Sequence, residues 1–408
     1  MTRQNSTIHR YFQYIIIAFA FFIPLSIAAY TFFAAVLLIL WIIEGGWRNK
    51  WSIIQSNPFF RAIALFYMFL SLTLLWSDDL IQGFEHLRKY YPLLFIPILY
   101  TSLDRRYIPQ IVRAFLSAMI ISEILSYLIF FDLMPFQYKP SWSSTDPSPF
   151  MNHTSYSVFL IFTIFLMLTQ LLSQEKNRLQ TVLYTFFILT MTINLFINSG
   201  RTGQFSLLVA LMVFFITYGR LSLIKTLLST TVITLFIFSI AYNLSPNFHK
   251  RSQETIQTFH YLLTQNKPLS DSTGFRFMMW HTAGIIISEN PIAGVGVGDD
   301  RIAYHKVLET TLPQYKKEIE GFSDYHNTFI QIAIYSGMIG LILFLNIFIA
   351  FFRNIDNNKD IKTMGAIGIT LILLFMLIGH LPAAYLTMLF VLITSITLKS
   401  PHDVVFRH

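Results

Sequence analysis

Apolar residues run along this chain in blocks of roughly membrane-span length, separated by short polar connections and by a single long polar stretch from Asn243 to Tyr325. The blocks lie at about 11–28, 30–44, 59–76, 90–103, 111–131, 155–173, 180–198, 203–219, 226–243, 326–352, 361–380 and 382–398. A helix needs roughly 20 mostly apolar residues to cross about 30 Å of hydrocarbon. The blocks lack the short alternating strands of a barrel. The pattern therefore predicts an all-α integral membrane protein of about twelve transmembrane helices with one long, partly helical outer loop. The 90–103 block is short and the 11–44 pair is split only near Ser26, which leaves ten or eleven as the alternative count. Because the first block, Tyr11 to Ala29, merges past Pro24 and Ser26 into the next without a cleavage site, it is expected to remain as a span.

Composition agrees with this picture: 54% of the 408 residues are hydrophobic and 12% charged, and the mean hydropathy is +0.55. The net charge of +8 is a topology signal, since the cations are scattered between spans; that excludes nucleic-acid binding, which needs a concentrated basic patch. One set of alternate connections holds Arg3 and Arg10, Arg48 and Lys50, Arg105 and Arg106, Lys176 and Arg178, Arg220 and Lys225, Arg353, Lys359 and Lys362, then Lys399 and Arg407. The short loops of the other set hold only Arg88, Lys89, Lys139 and Arg201. Positive residues stay inside, so both termini are predicted cytoplasmic and the long stretch outside. Three regions follow: residues 1–243 with nine spans, 244–325 as the outer loop domain, and 326–408 with three spans and a cytoplasmic tail. Zero cysteines rule out disulfides and thiolate metal sites.

Within the long stretch, Ser245-Pro246 predicts a helix to about Gln265, from an N-cap followed by proline at the first helical position. A second helix is expected from Ser272 or Thr273 to Glu289, closed by Asn290-Pro291, with Arg276 and Trp280 on one face. A third is expected near Arg301 to Glu309.

Three ionisable residues stand where a mere span does not need them. Arg201 lies in the tight turn Asn198-Ser199-Gly200-Arg201-Thr202-Gly203, where a guanidinium and the N–H groups of a new helix can jointly hold phosphate oxygens; a snorkelling anchor is the alternative. Arg276 sits in the unusually apolar Gly274-Phe275-Arg276-Phe277-Met278-Met279-Trp280, which predicts a helix packed on the membrane domain with its cation directed inward, or an interfacial helix meeting headgroups. His326, in Ser323-Asp324-Tyr325-His326-Asn327, is placed in the first turn of the next span with Ser323 or Asp324 as cap. There the helix dipole keeps the imidazole neutral; a structural interfacial histidine is the alternative. Two guanidinium groups suit a diphosphate leaving group, and a neutral imidazole accepts a proton. Gly294 to Gly298 reads as a turn rather than a phosphate loop, lacking the Lys-Ser/Thr that follows one. Asp78-Asp79 and Asp299-Asp300 are solvated caps or, alternatively, divalent-cation ligands. Glu123, inside a span, should face the bundle interior.

At these residues the chain resembles the O-antigen ligase and polymerase superfamily. The resemblance rests on Ser199-Gly200-Arg201-Thr202-Gly203, on Arg276 with Trp280, Asn290-Pro291 and Gly294-Val295-Gly296, on His326-Asn327-Thr328-Phe329-Ile330-Gln331 with Gly337-Met338-Ile339-Gly340, and on Trp76-Ser77-Asp78. It covers roughly residues 190 to 345 and is most like an O-antigen ligase. It implies inverting glycosyl transfer without metal or cofactor, at the periplasmic face of the bacterial inner membrane, from an undecaprenyl-diphosphate-linked glycan to lipid A-core. In that reading His326 is the general base, Arg201 and Arg276 hold the diphosphate, and Trp280 and Asn327 contact substrate. Polymerase and protein O-oligosaccharyltransferase are same-class alternatives. A lipid-linked glycan flippase is the alternative from another class, for which polar groups spread through the midplane are expected.

Overall fold

A helix forms on every one of the twelve apolar blocks. The computed structural model describes residues 3–134, 142–173, 177–265, 272–322, 324–381 and 383–399; Lys139, Lys176, Ser323 and Arg407, used above for topology and capping, lie outside them. Among these residues stand α1 (Arg3–Phe22), α2 (Ile27–Glu44), α3 (Trp47–Ser56), α4 (Pro58–Leu72), α5 (Leu80–Arg88), α6 (Ile96–Ser102), α7 (Ile108–Phe130), α8 (His153–Ser173), α9 (Arg178–Ile197), α10 (Arg201–Thr217), α11 (Leu223–Leu244), α12 (Pro246–Gln265), α13 (Ser272–Glu289), α14 (Asp300–Thr310), α15 (Pro313–Ile319), α16 (Thr328–Asn354), α17 (Lys359–Met376) and α18 (Ala384–Thr397). Among the described residues, seven segments are long and apolar enough to cross a membrane: Ile27–Glu44, Pro58–Trp76, Arg105–Phe130, His153–Ser173, Arg178–Ile197, Leu223–Leu244 and Thr328–Asn354. Tyr91–Ser102, Thr202–Thr217 and Ala384–Thr397 are shorter apolar helices. The chain is thus a helical membrane protein.

Local chemistry sets the helix starts. Ser26 accepts the Ala29 N–H at the head of α2, and Asn57 accepts the Phe59 N–H just before Pro58 opens α4. Such caps supply partners for N–H groups that a helix start leaves unpaired. The central span is α8, with buried side chains along nearly its whole length, Tyr156, Phe159 and Phe165 among them. Around it pack α9, α10 and α17, while α16 lies along α4 and α1 lies between α2 and α7. Helices α12, α13 and α14 fall where the capping signals place them. A separate apolar cluster joins Met278, Met279 and Ile286 of α13 to Tyr304, Val307 and Leu308 of α14, Ile319 of α15 and Ile334 of α16. The long polar stretch is therefore a folded body docked on the bundle.

One expected span is not continuous. At Gly337 (φ 60°, ψ −162°) α16 leaves helical geometry, and the segment after Pro291 inserts at the break. The freed Ile334 and Tyr335 carbonyls accept the Val295 and Gly296 N–H groups at 2.9 and 3.1 Å. The freed Met338 and Ile339 N–H groups donate to the Pro291 and Ile292 carbonyls at 2.9 and 3.3 Å. A broken helix is tolerated at membrane depth only where other protein groups satisfy its backbone in this way. Gly294 (φ 73°) abuts the Ile334 and Tyr335 backbone, and Gly337 abuts Ile292, so close that neither position has room for a Cβ.

Candidate active site

His326 does not sit in the first turn of α16, and this corrects the sequence expectation. Asn327 is the N-cap, its Oδ1 accepting the Phe329 and Ile330 N–H groups at 2.9 and 3.0 Å, so His326 lies one residue outside the helix. Its backbone is left-handed, with φ 47°, a conformation uncommon for residues other than glycine and enriched at functional sites. Asp324 holds it there. One carboxylate oxygen, Oδ1, accepts the His326 backbone N–H at 2.8 Å, lies 3.3 Å from His326 Nδ1 and 2.7 Å from His380 Nε2. With Nδ1 turned to the carboxylate, Nε2 is the ring atom presented for proton exchange.

Burial pushes the His326 imidazole below its ordinary pKa, partly opposed by Asp324 and reinforced by the Arg276 and His380 charges. The bias toward the neutral ring comes first from desolvation, with the neighbouring guanidinium adding to it. Burial alone pushes the Asp324 carboxyl up, but the close His380 contact, the His380 and His326 charges and the His326 backbone N–H outweigh it and bring the group down to about 2. The ligand-capable atoms of Asp324, His326 and His380 lie within 4.8 Å of one another, a grouping with the composition of a metal site. His380 Nε2 and Asp324 Oδ1, 2.7 Å apart, form an ion-pair contact.

These groups line a cavity of about 470 Å³ together with Arg276, Lys89, Arg301, His86, Gln331, Asn152 and Thr154. Arg276 and His326 thus share one cavity. Trp280 and Asn327 are not on its wall. The Trp280 indole N–H donates to the Tyr325 carbonyl at 2.9 Å, and the Asn327 amide donates to the Leu377 carbonyl at 3.0 Å while its oxygen caps α16. They clamp the backbone on either side of His326. Lys89, Arg301, His86 and His380 are the cavity residues that sequence reasoning passed over. Lys89 counted only as a loop charge, Arg301 only as the start of an expected helix, and His380 ends an apolar block.

Arg201 opens α10 with Gly200 as an N-cap residue that makes no side-chain cap bond. The turn is tightly held: Asn198 Oδ1 accepts the Ser148 hydroxyl at 2.8 Å, and the Ser199 hydroxyl donates to the Thr145 carbonyl at 2.7 Å. Gly200 and Gly203 lie directly on Ser157 of α8, with no space for a side chain. Gly200 also meets the His153 carbonyl, between the cavity residues Asn152 and Thr154, so the start of α10 stands at this wall. An apolar groove of about 640 Å³ runs between α7, α9 and α11, lined by Phe130, Ile193, Phe196 and Ile240 and topped by Thr145 and Asn247. Thr145 therefore links the top of the groove to the Arg201 turn.

Other expectations resolve as structure. The N–H groups of Val295, Gly296, Val297 and Gly298 bond Ile334, Tyr335, Thr73 and Ser77, so the glycine-rich segment is a turn and not a phosphate cradle. The acidic pairs do meet, but as caps: the Asp299 carboxylate accepts the Asp78 and Asp79 N–H groups at 2.9 to 3.0 Å, and Asp79 caps α5. Asp300 is buried, accepts from Gln331 Nε2 at 3.0 Å, and is pushed by burial up to about 6, with Gln331 and the Arg301 and Lys89 charges opposing. Glu123 is 2% exposed, inside the bundle.

Fold and site together define a multi-pass helical membrane protein with a cation-lined, imidazole-bearing cavity beneath a docked helical body. Residues 186–345 match the family described as O-Antigen ligase. The match, to less than half of the chain, supports its likeness to the O-antigen ligase superfamily, whose members are glycosyltransferase-like enzymes of lipopolysaccharide biosynthesis. The matched stretch holds Arg201, Arg276, His326 and the Gly337 break; Lys89 and His380 fall outside it. No curated protein matches the chain.

Proposed function

We propose that the protein is an O-antigen ligase that moves a completed glycan from undecaprenyl diphosphate to lipid A-core at the periplasmic face of the inner membrane, with residues 244–325 on that face. The observation that carries this reading is the shared cavity of Arg276 and His326, with His326 held in a left-handed conformation by Asp324.

In this reading His326 Nε2 takes the proton of an acceptor hydroxyl as its oxygen bonds the anomeric carbon. The bond from that carbon to the diphosphate oxygen breaks on the opposite side, its electron pair leaving with the diphosphate and inverting the centre. Asp324 orients the ring and stabilises the imidazolium as it forms, as carboxylates do for catalytic histidines elsewhere. Arg276, with Arg201 at the uncapped start of α10, holds the diphosphate as its charge grows. The guanidinium groups supply the charge neutralisation, so the transfer is proposed to run without a metal ion. The apolar groove beneath Thr145 suits the polyprenyl tail, and its top lies beside the Arg201 turn.

The concentration of ionisable groups in one cavity favours an enzyme over a flippase, for which a polar midplane path is expected. Transfer by the purified protein from lipid-linked glycan, in the presence of a chelator, tests the reading. Product on lipid A-core and none on a glycan-only acceptor is the expected result. Extension of the glycan instead marks a polymerase, and donor movement across a vesicle without bond formation marks a transporter.

A further inference from the structure

The cavity has two cationic ends. Arg276 acts on His326, whereas Lys89 and Arg301 act on His86 and Asp300. Both Lys89 and Arg301 are exposed, and neither makes an ion pair among the described residues. The carboxylate on the cavity wall, Asp324, is engaged with the two histidines, and Asp300 is buried against Gln331.

This end of the cavity is held together from two distant parts of the chain. Lys89 follows α5 and Arg301 is the second residue of α14. His86 of α5 meets the Val297 carbonyl at 2.9 Å, and the Asp299 carboxylate just before α14 takes the backbone N–H groups that precede α5. The two cations are therefore carried by backbone segments held to one another, and both line the same cavity.

The donor does not account for this second charge. Its tail is assigned to the groove between α7, α9 and α11, and its diphosphate to the Arg201 turn and Arg276; α5 and α14 do not line that groove. An inverting transfer needs a second saccharide in the same cavity, with a hydroxyl at His326. A phosphate monoester carries about −1.5 to −2 at pH 7, which complements two fixed cations.

Building on the ligase reading, we propose that Lys89 and Arg301 form an acceptor subsite that recognises a phosphate group on the saccharide receiving the glycan. The pair sets which acceptor enters and takes no part in bond making.

The test uses full-length protein in detergent and lipid A-core acceptor, either with its phosphates or after phosphatase treatment. The variants are Lys89→Gln, Arg301→Gln and their combination. For the phosphorylated acceptor, each single change is expected to raise KM about tenfold and the pair about a hundredfold, in line with the loss of one or two charged hydrogen bonds. The kcat at saturating acceptor and the donor KM should stay within about twofold, and Arg301→Lys should restore part of the affinity. For the dephosphorylated acceptor, wild type and variants should share one KM. Equal effects on both acceptors, or a raised donor KM in place of acceptor KM, overturn the subsite. If the wild type transfers to neither acceptor, the ligase reading fails. Equilibrium binding of the two lipid A-core preparations then still decides the subsite: a phosphate-dependent affinity lost in the double variant supports it, and equal affinities overturn it.

Discussion

His380 Nε2 and Asp324 Oδ1 meet at 2.7 Å, joining the end of one predicted span to the loop before another. The same oxygen faces His326, so His380 acts on the proposed base through the carboxylate. Removing the Asp324 charge takes away the one neighbour that raises the His326 pKa. Asp324→Asn should therefore move the acid limb of the kcat/KM profile to lower pH while reducing kcat about tenfold or more through lost orientation. His380→Gln should give a smaller loss. An unmoved acid limb in Asp324→Asn would show that His326 does not control it.

Arg276→Lys and Arg201→Lys keep the charge and lose the planar fork that holds two phosphate oxygens. Each should lower transfer by roughly 10²–10³-fold, about 2.7–4 kcal/mol of transition-state stabilisation, with folding intact. Full turnover by purified Arg201→Lys would make Arg201 an interfacial anchor.

Asp300 supplies a stability test. Its folded carboxyl is raised from 3.8 to about 6 by burial, so between those values the folded state binds the proton more tightly than the unfolded one. Stability accordingly falls as pH rises through that window, and the full penalty remains above it. Asp300→Asn, which still accepts from Gln331, should raise stability by about 3 kcal/mol at pH 8 and leave it unchanged near pH 3. Thermal unfolding in detergent at the two pH values measures this. Equal shifts at both would mean that packing, not ionisation, governs the site.

How legible the protein was in its sequence depends on the range of the forces involved. Ser245-Pro246 and Asn290-Pro291 are local signals, and α12 and α13 begin and end where they place them. Apolar periodicity located α16 but is blind to its break. The backbone partners of Ile334 and Met338 are contributed by residues some forty positions earlier, and only the glycines hint at them. His380 and Asp324 are separated by more than fifty residues, so their pairing has no sequence period at all. Arg276 and His326 were found because polar groups beside apolar runs need a reason. Lys89 drew no notice because loop cations are ordinarily read as topology signals, and Arg301 because it marked only the start of a helix.

The Gly337 break gives a fourth prediction. With φ 60° and the Ile292 backbone against its α-carbon, Gly337→Ala combines left-handed strain with a backbone clash, and should cost about 2 kcal/mol or more. Gly284→Ala, in α13 with open space around it, should be tolerated. Thermal unfolding of the two variants measures the contrast. Equal stability of both would mean that α16 can straighten and that the inserted loop is dispensable.

The most direct test of the account is single-turnover transfer by His326→Gln, with donor binding measured in the same preparation. The account predicts that transfer falls by roughly 10²–10⁴-fold, the usual contribution of a general base, while donor affinity through Arg276 and Arg201 is retained. A near-normal single-turnover rate with donor bound would contradict it and remove His326 from the chemistry.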